Sequence, residues 1–390
     1  MNKKITLSQL AMLYIVVWCI SPPLSYGTIY RLIMFGAIGF LILKYILSYG
    51  FKVKKNYFLF ASVVIYIIGL SIVMNDSITN RLSVIILFLI LFCSESFMGI
   101  RGNPEEYFWI VIVTFVLCII WNVCSLQGIA ETPNVMRLLA KNSAVSEAYA
   151  MKGIGGFGYL YTVLLLLPIA IDCALKKKMN KIWRLIAVTF IVTTYILIFN
   201  AQYFLAIILS LFLLCVYGVM RLKNAWMKGI GMFVLMIIFI QVYLNADKVL
   251  LYLMEITDLR SIDLKLESIY DILVNGDGVE NSEFSVRFER YMESFKCALS
   301  HPFVGGKVYA LTGNHSHILD FFAQYGFIIG AIYLKCLFSP FDFFYGNKQA
   351  VSITCRLTFL IMLMLNTLAF SFSIAVYIIL PLYGYQMEKS

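Results

Sequence analysis

Apolar runs of about 20 residues recur from one end of this 390-residue chain to the other. A helix of that length crosses the roughly 30 Å hydrocarbon core of a bilayer, where every backbone N–H and C=O group must find a partner within the protein. With 61% hydrophobic residues, 13% charged residues and a mean hydropathy of +0.86, the chain does not fit a water-soluble globule. We therefore predict an all-α polytopic membrane protein, with a single integral membrane domain over residues 1–390. Twelve spans are predicted, at about 7–23, 28–48, 57–74, 81–99, 107–126, 154–175, 182–199, 202–220, 226–245, 315–337, 353–369 and 371–386.

Basic residues cluster in alternate loops between these spans. The clusters are Lys52, Lys54 and Lys55; Lys176, Lys177, Lys178, Lys181 and Arg184; and Arg221, Lys223 and Lys228. Because cytoplasmic loops retain positive charge, the alternation predicts that both termini are cytoplasmic. The basic residues that give the chain its net charge of +10 then serve to orient the helices in the membrane. We therefore expect no nucleic-acid partner.

The same alternation places two longer loops on the outer face, at about 127–153 and 246–314. The larger loop holds eleven acidic and seven basic residues, so it is not a retained basic loop. Since binding and catalytic residues concentrate on loops, it is the expected seat of chemistry. In the smaller loop, Arg137 and Lys141 lie one helical turn apart and form a weaker candidate for phosphate or sugar contacts.

The end of the large loop has the periodicity of an amphipathic helix, near 283–300. Its apolar stripe repeats at spacings of 4, 3, 4 and 4, through Phe284, Phe288, Tyr291, Phe295 and Leu299. Arg287 and Arg290 share one flank of this helix. Arginine is suited to bidentate phosphate contacts, so the pair could hold a lipid-linked pyrophosphate. The alternative is a basic flank that only touches lipid headgroups.

All three histidines of the chain fall within 17 residues, at His301, His315 and His317. His315 and His317 would face apart on a helix, and neither a cysteine nor a close carboxylate pair completes a ligand shell, so we expect no metal. Asp320 lies three residues after His317 and could orient that imidazole or sit in a water-filled cavity. An ionisable group inside a span indicates function by default.

These residues resemble a pattern of the O-antigen polymerase and ligase superfamily. The similar stretch covers about 45 residues: Arg287, then His301-Pro302 fourteen residues later, Gly305-Gly306, and His315 eleven residues before Gly326. The remaining likeness is topological, with about twelve spans and a large outer loop before the tenth. Members are metal-independent, inverting membrane glycosyltransferases that act on undecaprenyl-pyrophosphate-linked sugars.

The resemblance implies a GT-C-like enzyme of the bacterial inner membrane that needs no cofactor. It implies His315 and Arg287 as catalytic residues, makes His301 a weaker candidate because relatives often have Asn there, and leaves Arg290, His317 and Asp320 for substrate binding. Where many ligase-like relatives have a Ser-Arg pair, this chain has Asn200-Ala201-Gln202-Tyr203, which favours a polymerase. The expected partners are a lipid-linked oligosaccharide donor and acceptor, membrane lipids, and a chain-length regulator and flippase of the same pathway. A ligase, a related sugar-polymer enzyme and a lipid-linked oligosaccharide transporter remain alternatives.

Overall fold

The structure is a computed structural model, and it describes most of the chain. The described residues are 5–50, 55–73, 84–90, 92, 107–132, 135–136, 139, 143–177, 179–256, 266–267, 270, 283–306, 315–339, 341, 349–366 and 375–389. They are 88% helical and contain no strand, which confirms the all-α class for this part of the chain.

The described elements are helices from one end of the chain to the other. In chain order they are α1 (Leu7–Ile20), α2 (Pro22–Tyr26), α3 (Thr28–Tyr49), α4 (Lys55–Val73), α5 (Phe108–Glu131), α6 (Ser143–Met151), α7 (Phe157–Leu175), α8 (Lys181–Asn200), α9 (Phe204–Met220), α10 (Ala225–Leu244), α11 (Ala246–Ile256), α12 (Glu283–Ser300), α13 (His317–Phe338), α14 (Gln349–Leu365), a π-helical turn (Ala375–Ile379) and α15 (Leu380–Lys389).

Among the described residues, six helices are long and apolar enough to cross a membrane. They are Thr28–Ser48, Phe108–Glu131, Phe157–Leu175, Lys181–Asn200, Ala225–Val242 and His317–Phe338. Shorter apolar helices occupy Leu7–Ile20, Phe58–Ile72, Phe204–Met220 and Ala350–Leu365. The predicted span at 81–99 lies mostly outside the described residues. Membrane character is therefore supported, whereas the number of twelve spans stays a prediction.

Two compact units divide the chain. The first contains Met1–Ala201, Ile332–Arg356 and Leu368–Ser390, and the second contains Gln202–Ala331 and Leu357–Thr367. In the first unit, α8 packs against both α5 and α7. In the second, α9 packs against α10, and Leu250 of α11 joins Leu266 in a small apolar cluster.

A buried polar group ties three helices of the first unit together. The Asn122 amide donates hydrogen bonds to the hydroxyls of Thr193 and Thr194, at 3.2 and 3.0 Å, and its carbonyl oxygen accepts one from Tyr159 at 2.8 Å. We call these four residues the Asn122 cluster. It joins α5, α7 and α8 through uncharged groups, as polar residues commonly do between helices in lipid.

Candidate functional site

The helix predicted near 283–300 occurs as α12, but three members of its apolar stripe do not pack against the protein. Phe288, Phe295 and Leu299 remain 59%, 45% and 56% exposed. The buried side chains are instead the small ones, Ser294 and Ala298, one helical turn apart. Close approach of a neighbouring helix therefore uses the small face. Phe288, Phe295 and Leu299, which we call the aromatic stripe of α12, are left outward, whereas Tyr291 is half-buried.

The neighbour on that small face is the start of α13, and Asp320 makes the connection. One oxygen of its carboxylate accepts a hydrogen bond from the Ser294 hydroxyl, and the other accepts one from the Ser316 backbone N–H at 3.1 Å. Ser316 also caps α13, since its hydroxyl oxygen accepts a hydrogen bond from the Leu319 N–H at 3.2 Å. A carboxylate at a helix N-terminus also interacts favourably with the helix dipole. Asp320 thus fastens α12 to the N-terminus of α13.

The end of α14 completes the same corner. The Tyr291 hydroxyl donates to the Leu365 carbonyl oxygen at 2.9 Å, and the His317 N–H donates to the Asn366 carbonyl oxygen at 3.1 Å. The buried Nδ2 of Asn366 has no hydrogen-bond partner among the described residues. Asn366 was not predicted to be a site residue, although it is a polar residue within the apolar run at 353–369.

The central contact joins Arg290 of α12 to His315, just before α13. Their Nη1 and Nε2 atoms lie 2.8 Å apart. A guanidinium has no acceptor, so Arg290 donates and Nε2 of His315 accepts. The imidazole is therefore neutral, with its proton on Nδ1.

The surroundings keep this imidazole neutral. Partial burial and then the positive charges of Arg290 and Arg287 lower the pKa of His315 below its ordinary value of 6.5. His315 is thus an unprotonated histidine beside two guanidiniums. We call Arg287, Arg290, His315, His317 and Asp320 the histidine corner.

The segment after α12 docks into a break in α13. Helix α13 is kinked at Gly326, whose φ is +80°. In an unbroken helix the Phe327 N–H would donate to the Ala323 carbonyl oxygen. Here both groups bond to the segment 301–306 instead: the Phe327 N–H donates to the Pro302 carbonyl, and the Gly306 N–H donates to the Ala323 carbonyl, each at 2.7 Å. These two backbone groups released by the kink are therefore satisfied, as an apolar environment requires.

Two glycines make this docking possible. A Cβ on Gly326 would lie 2.3 Å from the Phe303 carbonyl oxygen, and one on Gly305 would lie 2.2 Å from the Gln324 backbone. Gly305 also has a positive φ, of +71°. The backbones of the segment and the helix therefore approach too closely for any side chain. We call the contact between 301–306 and 323–327 the kink clamp.

The structure brings five of the seven predicted site residues into one corner. Arg290 touches His315, and Arg287 is near enough to influence its pKa. The His317 ring packs beside Phe321, with ring centroids 6.2 Å apart, while Asp320 is buried and bonded to two serines. His301 is exposed at the kink clamp. Arg137 and Lys141 lie outside the described residues.

No group of three or more His, Cys, Asp or Glu side chains with the geometry to hold a metal ion occurs in the described part of the chain. Neither the known protein-family models nor the curated proteins match this chain. The histidine corner is therefore interpreted from its own chemistry.

Proposed function

We propose that this chain is an O-antigen polymerase, joining undecaprenyl-pyrophosphate-linked oligosaccharide repeat units by inverting glycosyl transfer. In this proposal the chain is a twelve-span, GT-C-like protein of the bacterial inner membrane, with both termini in the cytoplasm. The histidine corner then faces the periplasm, where the lipid-linked repeat units are joined. No nucleotide is needed, because the donor sugar is already activated by its pyrophosphate.

The observation that carries the proposal is the neutral His315 imidazole beside the guanidiniums of Arg290 and Arg287. Transfer from a lipid pyrophosphate needs positive charge on the phosphate oxygens and a base for the attacking hydroxyl. The two arginines supply the charge, and an imidazole that stays unprotonated near neutral pH supplies the base. The positive charge and the base are therefore adjacent, because Arg290 and His315 share a hydrogen bond.

The proposed reaction is a single displacement at the anomeric carbon. The hydroxyl oxygen at the non-reducing end of one lipid-linked unit attacks the anomeric carbon of a second unit and forms the new glycosidic bond. The bond from that carbon to the phosphate oxygen breaks, and undecaprenyl pyrophosphate leaves with the electron pair. The hydroxyl proton passes to His315. Arg287 and Arg290 stabilise the charge that develops on the leaving pyrophosphate.

The aromatic stripe of α12 fits this setting. Phe288, Phe295 and Leu299 are exposed on the helix that carries both arginines. An apolar stripe of this kind lies in the boundary between headgroups and acyl chains. The arginines are then at the depth of a lipid-linked pyrophosphate.

The test is polymer synthesis by the purified full-length chain, given lipid-linked repeat units in detergent or nanodiscs. We expect a ladder of polymer from the natural sequence and none when His315 is replaced by Ala. Deletion in the source strain distinguishes the alternatives: a lipid core bearing one repeat unit indicates a polymerase, and a bare core indicates a ligase. Repeat units that never reach the periplasm would indicate a transporter, and both of the last two outcomes reject the proposal.

Orientation has its own test. A reporter active only in the periplasm should work when fused at Asn281 and fail when fused at Lys178. The reverse pattern would place the histidine corner in the cytoplasm and reject a periplasmic reaction.

A further inference from the structure

The arrangement that makes His315 neutral also covers the lone pair that a base needs. Nε2 accepts the Arg290 hydrogen bond at 2.8 Å, and Nδ1 carries the ring proton. In this state neither ring nitrogen can take a proton from a sugar hydroxyl. A base at this position therefore requires Arg290 to move.

Arg290 is free to move without disturbing the rest of the corner. Its side chain is exposed. Helix α12 is held by the Ser294–Asp320 and Tyr291–Leu365 hydrogen bonds, neither of which involves Arg290. A swing of this one side chain therefore leaves α12 and α13 in place.

We propose that a pyrophosphate bound by Arg287 and Arg290 draws the Arg290 guanidinium away from Nε2 and so uncovers His315 as a base only when a donor is present. We call this movement of Arg290 the gate. The identity of the donor rests on the proposed function, whereas the gate itself requires only an anion, Arg290 and His315. The competition favours the anion, because a hydrogen bond between an arginine and a phosphate is charge-assisted on both sides and is frequently bidentate. A neutral imidazole offers only one uncharged acceptor.

The gate couples anion binding to the proton affinity of His315. The charges that act on the imidazole are those of Arg290 and Arg287 from α12. Tyr291 of α12, which is close enough to Arg287 and Asp320 to feel their charges, and His317 and Asp320 of α13 are the other titratable groups of this corner. From α14, the described contacts to this corner come from backbone carbonyls. A bound pyrophosphate offsets the positive charge of both arginines, so the pKa of His315 should rise on binding. By linkage, pyrophosphate must then bind more tightly as the pH falls through the pKa of the complex.

The experiment follows His315 directly by NMR of the full-length chain with isotope-labelled histidine, in nanodiscs of neutral lipid. His301→Asn and His317→Gln assign the three signals. Inorganic pyrophosphate is the probe. We expect it to raise the pKa of His315 and to remove the signature of a proton held on Nδ1.

Two arginine variants sharpen the test. Arg290→Ala should remove the Nδ1 signature even without pyrophosphate and weaken pyrophosphate binding about 10- to 100-fold, the effect of losing a charge-assisted contact. Arg287→Ala should weaken binding but keep the signature, since Arg290 still covers Nε2. Lys296→Ala, on the exposed side of α12, is the matched control and should change neither property.

The proposal is overturned if His315 titrates identically with and without pyrophosphate, or if Arg290→Ala leaves its tautomer unchanged. It is also overturned if nanodiscs containing phosphatidylglycerol shift His315 fully and pyrophosphate adds nothing, because the arginines would then serve lipid headgroups. The gate is measured without any sugar transfer. A chain that shows the gate but makes no polymer would retain the gate and reject the polymerase.

Discussion

The Asn122 cluster and the histidine corner are both polar groups in an apolar chain, yet they differ in what is left to bind. Asn122 donates to two hydroxyls and accepts from a third, and no charge is involved. In the histidine corner, by contrast, Arg290 is exposed, with most of its five donors away from His315. Beside this corner, at the end of α14, Asn366 has an amide nitrogen without a partner among the described residues. A polar cluster whose donors and acceptors are paired with one another holds helices together. A cluster with unused donors can bind a ligand.

The largest effect should come from His315→Ala. Loss of a positioned base typically costs about 100- to 10,000-fold in rate. The variant should still fold, because the Ser294–Asp320 and Tyr291–Leu365 hydrogen bonds hold α12 in place without His315. The measurement is the rate of polymer formation at matched protein levels. His301→Asn is the control, since that side chain is exposed, and it should be tolerated. Full-length polymer from His315→Ala would show that the histidine corner is not the active site.

Gly326→Ala should break the kink clamp. The added Cβ would meet the Phe303 carbonyl oxygen at 2.3 Å, and the residue would also have to adopt a positive φ. The positive φ alone costs about 1–2 kcal/mol, so the thermal transition should fall and the yield should drop. Gly218→Ala in α9 is the matched control, because a Cβ there meets nothing within 4 Å. Equal stability of the two variants would mean that the segment 301–306 does not dock as described.

Arg287→Lys separates pyrophosphate recognition from simple attraction to lipid. If Arg287 binds the donor through its forked guanidinium, lysine should lose about 10- to 100-fold in rate although the charge is kept. If the residue only touches headgroups, lysine should serve nearly as well, since each cation near an anionic surface contributes about 1 kcal/mol regardless of its shape. The rate is measured on lipid-linked repeat units, with Lys296→Arg as the reciprocal swap on the exposed side of α12.

Asn122→Ala tests the other half of the comparison. Interhelical hydrogen bonds in membranes are worth about 0.6–2 kcal/mol, so the variant should lose a few degrees of thermal stability. Its rate per folded molecule should not change. Asn245→Ala is the control, because in the described part of the chain that amide donates only to Gln241, four residues earlier. A rate defect without a stability defect would mean that the Asn122 cluster also takes part in the reaction.

The smallest effect concerns pH. Burial, Arg290 and Arg287 lower the pKa of His315 in the free protein, so the neutral form persists below pH 6.5 and is lost only as the pH falls further. The acidic limb of kcat/KM, which reports the free enzyme, should therefore lie below pH 6.5. If pyrophosphate uncovers His315, the limb of kcat should lie higher than that of kcat/KM. If the acidic limbs of kcat and kcat/KM coincide, donor binding does not change the pKa of His315.

The sequence predicted the helix over 283–300 because its apolar period is close to 3.6 residues. It did not predict which face packs. The aromatic stripe is the strongest periodic signal, but the buried face is formed by Ser294 and Ala298, with Tyr291 beside them. A hydrophobic period identifies residues that share a face. In a membrane it cannot distinguish a face turned to lipid from one turned to protein, because both environments are apolar.

What the sequence determined by itself was the class of the protein and the neighbourhood of its polar residues. An apolar chain of this composition forms helices in lipid because a helix satisfies its own backbone hydrogen bonds. Arg290 and His315 were expected in the same region because they are only 25 residues apart in the sequence. The tertiary structure alone decided that Arg290 covers Nε2, that Asp320 bonds to serines from two elements, and that α13 breaks at Gly326 to receive the segment 301–306. The physical reason is that tautomers and backbone pairings depend on distances of about 3 Å. Such distances are fixed only when separate helices are packed together.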